Sequence, residues 1–357
     1  MTAVTAGTRK ESRSQRLRLG QAILAVLLYS TIDQGVDARI GVTALQRRAD
    51  TAKAGLAWNN PNLSMNALGS SDKIGWYYTW SAWRVAAAPS HLEFVPMFWG
   101  LPQITDFQAQ VNPGTILERN YKNILAMNEP NQQGQAQVSA VDAAAQWKQY
   151  LEPLKADTGV RLGSPAPTNA PDGKQWLYDF LGACGGGCTV DFIALHYYGI
   201  NATDFINHVT DYHNAFQRPI WVTEWACQNF GDPKFGQCSE GDVSDFLETT
   251  QSWMEKTDFV ERYSWLGATI NVQGVNPDNN LMSSNGQVND LGNQYLHQGG
   301  ASSTSGASPT ATGPSGITGT GGVVPLNAAC RLLVGQSAVC AVLGPVLLSV
   351  FVTWVMV

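Results

Sequence analysis

Eight short apolar runs, most of them separated by segments with helical spacing, constrain the fold of this chain more than any other feature of its sequence. Short runs rich in apolar and β-branched residues are typical of buried strands, whereas apolar residues three or four positions apart are typical of amphipathic helices. Strands that alternate with helices form a parallel sheet, and eight such units predict an α/β fold that closes into a (β/α)8 TIM barrel. The runs are residues 55–58, 73–78, 93–99, 124–129, 161–165, 191–198, 220–224 and 261–267.

The segments between the runs support this interpretation unevenly. Residues 139–154, 202–216 and 242–256 have helical spacing, and Ser139 with Asp142 is typical of a helix N-terminus. Residues 59–72, after the first run, have the composition of a loop. An open, doubly wound sheet therefore stays as the alternative fold. The runs lie within residues 51–298, which have about the 250 residues of a typical barrel domain.

Two of the predicted strands end in a glutamate. The fourth run ends in Asn128-Glu129-Pro130, and the seventh ends in Glu224-Trp225. Proline cannot continue a ladder, and a carboxylate at the end of an apolar strand is costly to bury without a partner. Because active sites of such barrels lie at the carboxyl ends of the strands, we expect Glu129 and Glu224 to face one cleft. A pair of carboxylates in one cleft is the catalytic machinery of a glycosidase.

The motifs around these glutamates, taken in order, resemble glycoside hydrolase family 128, whose members include fungal endo-β-1,3-glucanases and follow the clan A pattern of retaining enzymes. The resemblance rests on residues 94–100, 128–130, 162–166, 191–199, 221–224 and 263–265. It implies a retaining mechanism with Glu129 as the general acid/base, Glu224 as the nucleophile and Asn128 bound to the 2-hydroxyl of the sugar. Two residues depart from the family pattern, Asn131 in place of aspartate and Trp225 in place of phenylalanine, and we expect both to affect only the shape of the cleft.

Aromatic and histidine side chains near the predicted strand ends are candidates for binding substrate. Core packing is the commoner use of tryptophan, but indole also stacks on the apolar faces of sugar rings. His196 has three uses open to it: core packing, contact with substrate, and tuning of the acid/base. The other candidates are Trp76, Trp80, Trp99, Tyr198 and Trp265, of which Trp99 and Trp265 are the preferred sugar-stacking residues. His208 and His213 are predicted to lie on the surface.

No cofactor and no metal site is predicted. The chain has neither a His-Glu-x-x-His motif nor a Cys/His cluster, and no Gly-x-Ser-x-Gly motif suggests a serine hydrolase. A net charge of −6, with basic residues concentrated near the start, gives no electrostatic basis for binding nucleic acid.

The two ends of the chain have the patterns of a secreted, lipid-anchored protein. Residues 1–38 combine basic residues with an apolar stretch, which predicts a signal peptide, and residues 39–50 follow as a short leader. Residues 299–328 form a Gly/Ser/Thr-rich stalk, and residues 329–357 predict a glycosylphosphatidylinositol (GPI) attachment signal with Asn327 as the anchor site. An uncleaved leader and a transmembrane tail are the alternatives.

The cysteines and glycosylation motifs fit the same compartment. Four of the six cysteines precede the stalk, and four cysteines allow three disulfide connectivities. We favour the local pairs Cys184–Cys188 and Cys227–Cys238 over other pairings and over a zinc site. Asn62 and Asn201 begin Asn-x-Ser/Thr sequons, so both are predicted N-glycosylation sites.

The sequence and the resemblance together predict a secreted, monomeric endo-β-1,3-glucanase that acts on β-glucan of a fungal-type cell wall and meets a membrane only through its lipid anchor. Two alternatives remain. A wall-remodelling transglycosylase would use the same two glutamates with a sugar as acceptor in place of water. A non-catalytic glucan-binding wall protein would have no need for both carboxylates.

Overall fold

A computed structural model describes residues 52–60, 62–272 and 274–297. Within them, eight strands occur where the eight apolar runs predict them, although the third, fourth and fifth are only two residues long as regular ladders. The strands are β1 (Ala54–Ala57), β2 (Ile74–Tyr78), β3 (Glu93–Phe94), β4 (Asn123–Ile124), β5 (Arg161–Leu162), β6 (Ile193–Gly199), β7 (Ile220–Cys227) and β8 (Val260–Trp265).

The strands close into a barrel with parallel pairing throughout. Six of them form one sheet in the order β3-β2-β1-β8-β7-β6, and β4 pairs with β5. Two isolated parallel bridges, Met97 with Leu125 and Gly163 with Phe192, join these two sheets on both sides. The pairing of β1 with β8 shows that the alternative of an open sheet is wrong.

Nine α-helices lie between or after the strands in the described part of the chain. They are α1 (Asn66–Gly69), α2 (Ile104–Gln110), α3 (Pro113–Arg119), α4 (Ala140–Gln146), α5 (Glu152–Thr158), α6 (Gly173–Cys184), α7 (Ala202–Phe216), α8 (Glu240–Lys256) and α9 (Asp290–His297). The prediction for 202–216 is confirmed, and α8 begins two residues before the predicted 242–256.

The predicted helix 139–154 is interrupted. Its N-cap is confirmed, since the amide of Asp142 donates to Ser139 Oγ at 3.1 Å. A π-helical turn, Trp147–Leu151, then separates α4 from α5. Pro153 lies in the first turn of α5 and has no amide hydrogen to donate to the carbonyl of Gln149, so regular α-helical bonding cannot run through this segment.

The first two βα units have little helix. The described residues of 59–72, which leave out residue 61, contain only the single turn α1, and residues 79–92, all of which are described, contain no helix. This part of the chain instead forms a loop wall beside the barrel mouth, and it contains Trp80.

Both predicted disulfides are present. Cys184–Cys188 joins the end of α6 to the following loop, and Cys227–Cys238 joins the last residue of β7 to the residues just before α8. No helix in the described part of the chain is long and apolar enough to cross a membrane. The predicted signal peptide (1–38), leader (39–50), stalk (299–328), C-terminal signal (329–357) and anchor site Asn327 lie outside the described residues.

Arg262 packs inside the barrel near the starts of the strands. Its guanidinium lies 4.5 Å from the ring centroid of Trp221 and 5.5 Å from that of Trp76. It also donates to Glu93 Oε2 at 2.6 Å, and Glu93 Oε1 accepts from Asn123. The ion pair is largely buried, with both side chains 12% exposed.

We expect Arg262→Ala to lower the free energy of unfolding by about 3 kcal/mol, because it leaves the Glu93 carboxylate buried without its cation and removes the contact with two indole rings. Arg161→Ala is the matched control. Arg161 pairs with Glu261, but both side chains are more than a third exposed, so its loss should cost about 1 kcal/mol or less. Urea unfolding followed by tryptophan fluorescence measures both values, and equal losses would show that Arg262 adds nothing beyond an exposed ion pair.

Candidate active site

Glu129 and Glu224 lie at one end of the barrel, as predicted. The amide of Glu129 donates to the carbonyl of Ala166 at 2.9 Å, which holds the residues after β4 beside those after β5. Glu129 is 8% exposed and Glu224 is 5% exposed. One carboxylate oxygen of Glu129 lies within 4.8 Å of one of Glu224, so the fold brings the two groups into a single site.

A bulge in β7 turns Glu224 toward this site. Leu195 of β6 pairs with Val222, but the next residue, His196, pairs with Glu224, so Thr223 is the extra residue of the bulge. The carbonyl of Thr223 accepts two hydrogen bonds, from the hydroxyl of Tyr78 at 3.0 Å and from Ser264 at 2.6 Å. Without the bulge, simple alternation from Trp221 inside the barrel would direct Glu224 outward.

His196 lies between the two carboxylates and is fully buried. Its Nδ1 is 3.0 Å from Glu129 Oε1, and its Nε2 is 3.4 Å from Glu224 Oε1 without the alignment of a hydrogen bond. Burial alone would lower the pKa of His196, but the charge of Glu224 and the bond and charge of Glu129 outweigh burial, so its pKa is raised above the usual 6.5. The site therefore favours an imidazolium between two carboxylates.

Two donors fix the carboxylate of Glu224. The indole Nε1 of Trp80 donates to Oε1 at 2.6 Å, and the hydroxyl of Tyr198 donates to Oε2 at 2.5 Å. Burial raises the pKa of Glu224, and the nearby charge of Glu129 adds to the rise, whereas His196, Tyr198 and Trp80 act against it. Burial and the same two carboxylates raise the pKa of Tyr198 well above its usual value, so Tyr198 stays a donor.

The backbone around these groups is held in unusual conformations. Glu129 has a φ of 43° and Trp80 a φ of 51°, both in the left-handed region that residues other than glycine rarely adopt. Asn169 holds Tyr198 by bonding both its carbonyl and its amide, at 3.0 and 3.1 Å. These supporting contacts position the side chains that face the cleft.

Asn128 has one partner and one unused acceptor. Its Nδ2 donates to Gln135 Oε1 at 3.1 Å, but its Oδ1 is buried and finds no hydrogen-bond donor among the described residues. Buried polar atoms are rarely left unpaired in proteins, so Oδ1 is available to a ligand hydroxyl.

A cleft of about 840 Å³ opens over the two glutamates. Its lining is aromatic or polar for the most part, and among the described residues Glu129 and Glu224 are its only acidic or basic side chains. The remaining lining residues are Asn59, Thr79, Trp80, Ser81, Trp99, Gln103, Asn128, Gln132, Gln133, Gln135, Thr168, Tyr198, Phe230, Leu266, Thr269, Asn271, Val272 and Val275.

A comparison with known proteins identifies the family. The family model described as glycosyl hydrolase catalytic core matches residues 55–295, more than half of the chain. The chain is also 31% identical to a curdlan-specific exo-β-1,3-glucanase of glycoside hydrolase family 128, subgroup III, from Blastomyces gilchristii, with a TM-score of 0.57 over 69% of this chain and 98% of that one. The chain belongs to glycoside hydrolase family 128.

Other relatives extend the comparison. A family 128 endo-β-1,3-glucanase from Amycolatopsis mediterranei, in complex with laminaripentaose, is 29% identical with a TM-score of 0.57, over 70% of this chain and 100% of that one. Alkali-sensitive linkage protein 1 of Schizosaccharomyces pombe is 33% identical over 257 residues, which are 69% of this chain and 44% of that protein. The chain thus spans less than half the length of this curated relative.

Four of the candidate substrate-binding residues line the cleft of this family 128 chain: Asn128, Trp80, Trp99 and Tyr198. Trp76 and Trp265 do not, because both are fully buried. Trp265 faces outward, where its ring packs 5.0 Å from that of Trp225, and Trp76 lies inside the barrel, 5.2 Å from Trp221. The prediction that Trp76 and Trp265 contact sugar is wrong, because a position near a strand end does not reveal which way its side chain points.

Three histidine predictions are also corrected. His196 does not line the cleft, so of its predicted uses the structure favours tuning of the carboxylates over contact with substrate. His208 and His213 are half-buried, not on the surface. His213 stacks on Phe259 with ring centroids 4.0 Å apart, and burial lowers the pKa of His208 to about 4.

The two departures from the family pattern have different roles. Asn131 bonds Thr168 and Asp172 and so connects the loops that follow β4 and β5 beside the cleft. Trp225 is buried against α8, where its indole donates to Thr250 Oγ1 at 3.0 Å. The expected effect on cleft shape is therefore wrong for Trp225, which the Thr223 bulge turns away from the cleft.

Sequence reasoning missed several residues of the site. Tyr78, Ser264, Asn169 and Gln135 support the functional groups from other strands and loops, and only Tyr78, an aromatic residue ending β2, carried a recognisable signal. Phe230 was also missed as a cleft residue.

Glu129, His196 and Glu224 are also the one group in the described part of the chain whose donor atoms lie close enough to hold a metal ion. The ligand atoms of this group already face other protein groups. Trp80 and Tyr198 already occupy both oxygens of Glu224, and each ring nitrogen of His196 faces a carboxylate. The arrangement thus fits proton exchange between carboxylates better than coordination of a cation.

Proposed function

We propose that this protein is a retaining endo-β-1,3-glucanase in which Glu129 is the general acid/base and Glu224 the nucleophile. The observation that carries the proposal is the short separation of the two carboxylates: one carboxylate oxygen of Glu129 lies within 4.8 Å of one carboxylate oxygen of Glu224. Retaining enzymes place their two carboxyl groups about 5–5.5 Å apart, whereas inverting enzymes need about 6.5–9.5 Å to admit a water molecule. The short separation supports retention.

The hydrogen bonds of each glutamate support its role. Each carboxylate oxygen of Glu224 accepts a hydrogen bond, and these two bonds favour the ionised form that a nucleophile needs. Glu129 lines the cleft and contacts His196 through Oε1, so Oε2 is the atom that can reach the leaving oxygen. A neutral Glu129 beside an ionised Glu224 is the starting state of the reaction.

The reaction then proceeds in two steps. Glu129 donates its proton to the glycosidic oxygen while Glu224 attacks the anomeric carbon from the opposite face, so the bond to the leaving chain breaks and a glycosyl ester forms. Glu129, now a carboxylate, takes a proton from water, whose oxygen attacks the anomeric carbon and releases Glu224. Before the first step, the imidazolium of His196 faces an ionised Glu224. After that step Glu224 is esterified and Glu129 is ionised, so the positive charge of His196 is paired with a carboxylate in both states.

The cleft favours a neutral polysaccharide. Its walls offer amide and hydroxyl groups with tryptophan rings, and the unused Oδ1 of Asn128 suits a sugar hydroxyl, which we assign to the 2-hydroxyl. A volume of about 840 Å³ lies toward the upper end of the range of about 300–1,000 Å³ for small-molecule sites, which favours several sugar rings. The β-1,3 linkage is proposed from the family 128 relatives, which are β-1,3-glucanases of both endo and exo type.

We also propose that the protein is secreted, monomeric and held at the cell surface by a lipid anchor. The two disulfides support an oxidising compartment. Asn62 and Asn201 are both exposed, and Asn201 uses only Oδ1 to cap α7, which leaves its Nδ2 for a glycan. Release of the protein from membranes by a phosphatidylinositol-specific phospholipase tests the anchor, and a protein that stays membrane-bound would favour a transmembrane tail.

The activity is tested with linear β-1,3-glucan, with β-1,4- and β-1,6-glucans as controls. New reducing ends and a range of short oligosaccharides from the β-1,3-glucan alone are the expected result. A single product size would indicate exo action, and products longer than the substrate would indicate the transglycosylase. Tight binding without any product would favour the glucan-binding protein and contradict the enzymatic proposal.

We expect His196→Gln to move the acidic limb of the kcat/KM–pH profile to higher pH by about one unit. The positive charge of His196 lowers the pKa of Glu224, so removing that charge lets the pKa of Glu224 rise further. His213→Gln is the matched control, since His213 stacks on Phe259 and does not line the cleft. An unchanged profile in His196→Gln would show that the imidazole does not carry a charge in the free enzyme.

The raised pKa of His196 also makes stability depend on pH. Because its folded-state pKa lies above the ordinary 6.5, the stabilisation it provides is fully present below about pH 6.5 and is lost as the pH rises through the folded-state pKa. We expect the difference in Tm between wild type and His196→Gln to shrink as the pH is raised from about 6.5 through the folded-state pKa. A constant difference over that range would contradict the charge assignment.

A further inference from the structure

A loop closed by a disulfide forms one wall of the cleft. Cys227 ends β7, Cys238 precedes α8, and their disulfide joins the two ends of the loop 228–237. Phe230 lies on this loop and lines the cleft, and the residue is 64% exposed. A large apolar side chain exposed in a cleft is a common feature of binding sites, because a ligand can cover it.

The loop is fixed by contacts with itself and with its neighbours. The side chain of Asn229 donates to the carbonyls of Asp232 and Gly236 at 3.0 and 2.8 Å. Asn279 bonds both the amide and the carbonyl of Cys227, and Asn276 donates to the carbonyl of Cys238 at 2.9 Å. Phe230 therefore lies on a loop whose conformation is already fixed. Little conformational entropy of the loop is lost when a ligand covers the ring.

The orientation of Phe230 is set by Tyr198. The two rings meet edge to face, with centroids 5.4 Å apart and an interplanar angle of 64°. Tyr198 itself donates to Glu224, so a single side chain separates Phe230 from the proposed nucleophile.

We propose that Phe230 is a sugar-stacking residue that sets the preference of this enzyme for β-glucan chains long enough to reach it. The apolar face of a pyranose ring would cover the exposed ring and exclude water from it, next to the sugar that reacts at Glu224. This assignment rests on the proposed function, since it names a binding determinant of the same cleft. Phe230 acts on ground-state binding of the chain and transfers no proton.

Phe235 provides a matched control on the same loop. It is 65% exposed, like Phe230, but it does not line the cleft, and the ammonium of Lys234 lies 4.8 Å from the centroid of its ring. A change that merely disturbs the loop should affect Phe230→Ala and Phe235→Ala alike.

The test compares kcat and KM for laminari-oligosaccharides of increasing length and for a short aryl β-glucoside. We expect Phe230→Ala to lower kcat/KM about five- to tenfold on the longest oligosaccharide, mainly through KM, and less than about twofold on the aryl glucoside. Phe230→Trp should restore the activity, and Phe235→Ala should stay within about twofold of wild type on every substrate.

Three results would overturn the assignment while leaving the proposed function intact. The first is an equal loss of kcat/KM on all substrates in Phe230→Ala. The second is a loss in kcat with a shifted pH profile in that variant, which would mean that the ring acts through Tyr198. The third is an equal loss of kcat/KM in Phe230→Ala and Phe235→Ala. A wild-type protein without turnover of β-1,3-glucan that depends on Glu224 would overturn the proposed function and this assignment with it.

Discussion

Glu224→Gln should lower kcat/KM on linear β-1,3-glucan by a factor of about 10⁴ or more while leaving binding of the glucan intact. Glutamine keeps the size of the side chain, and its oxygen can still accept a hydrogen bond from Trp80 or Tyr198. A neutral amide, however, cannot form the glycosyl ester, so only the covalent step is lost. Isothermal titration with laminarihexaose, beside reducing-end assays, separates binding from turnover.

A second variant identifies the face of attack. In Glu224→Ala the cavity left by the carboxylate should admit azide, which would attack an activated β-glucoside from the side that Glu224 occupied and yield an α-glycosyl azide. Glucan hydrolysis by Glu224→Gln at more than about one per cent of the wild-type rate would remove Glu224 from the nucleophile's role.

Glu129→Gln should lower kcat/KM on β-1,3-glucan by a factor of about 10²–10⁴, because the leaving sugar oxygen can no longer be protonated. An aryl glucoside with an acidic phenol as leaving group needs no such proton, so its first step should stay fast. Hydrolysis of the glycosyl ester should then become rate-limiting, and a burst of phenol should precede slow turnover. The basic limb of the pH profile, which reports loss of the acid's proton, should disappear.

The matched control is Glu118→Gln, which changes an exposed glutamate on α3 and should leave every rate unchanged. Azide distinguishes the two glutamates once more. In Glu129→Ala it should attack the glycosyl ester from the β face and yield a β-glycosyl azide, whereas an α-glycosyl azide would exchange the roles assigned to Glu129 and Glu224.

The strands and the glutamate pair could be predicted because both depend on local sequence. The apolar run before Asn128-Glu129-Pro130 indicates a buried strand that ends there, and the barrel rule places strand ends on one face. The local pairing of Cys184 with Cys188, and of Cys227 with Cys238, was equally accessible. The family resemblance, which the comparisons confirm, added the roles of the glutamates as expectations.

The side-chain directions could not be predicted, because they depend on a single extra residue. The Thr223 bulge turns Glu224 inward and Trp225 outward, and nothing in the sequence marks that position. The place of His196 between two carboxylates follows from the same shift in register, so it too was hidden. Trp76 and Trp265 show a related limit, since strand-end position does not separate the barrel interior, the helix-facing layer and the cleft.

The scarcity of charge in the cleft has a consequence for the conditions in which the enzyme works. Glu129 and Glu224 are the only acidic or basic side chains among the described residues that line the cleft, so the glucan is bound through short-range contacts that dissolved ions do not screen. Turnover of a neutral glucan should therefore change little between dilute buffer and high salt. A polymer bearing carboxylates or sulfates would find no cationic side chain among the described lining residues to balance its charge, so the same cleft that tolerates changing ionic strength disfavours polyanionic chains.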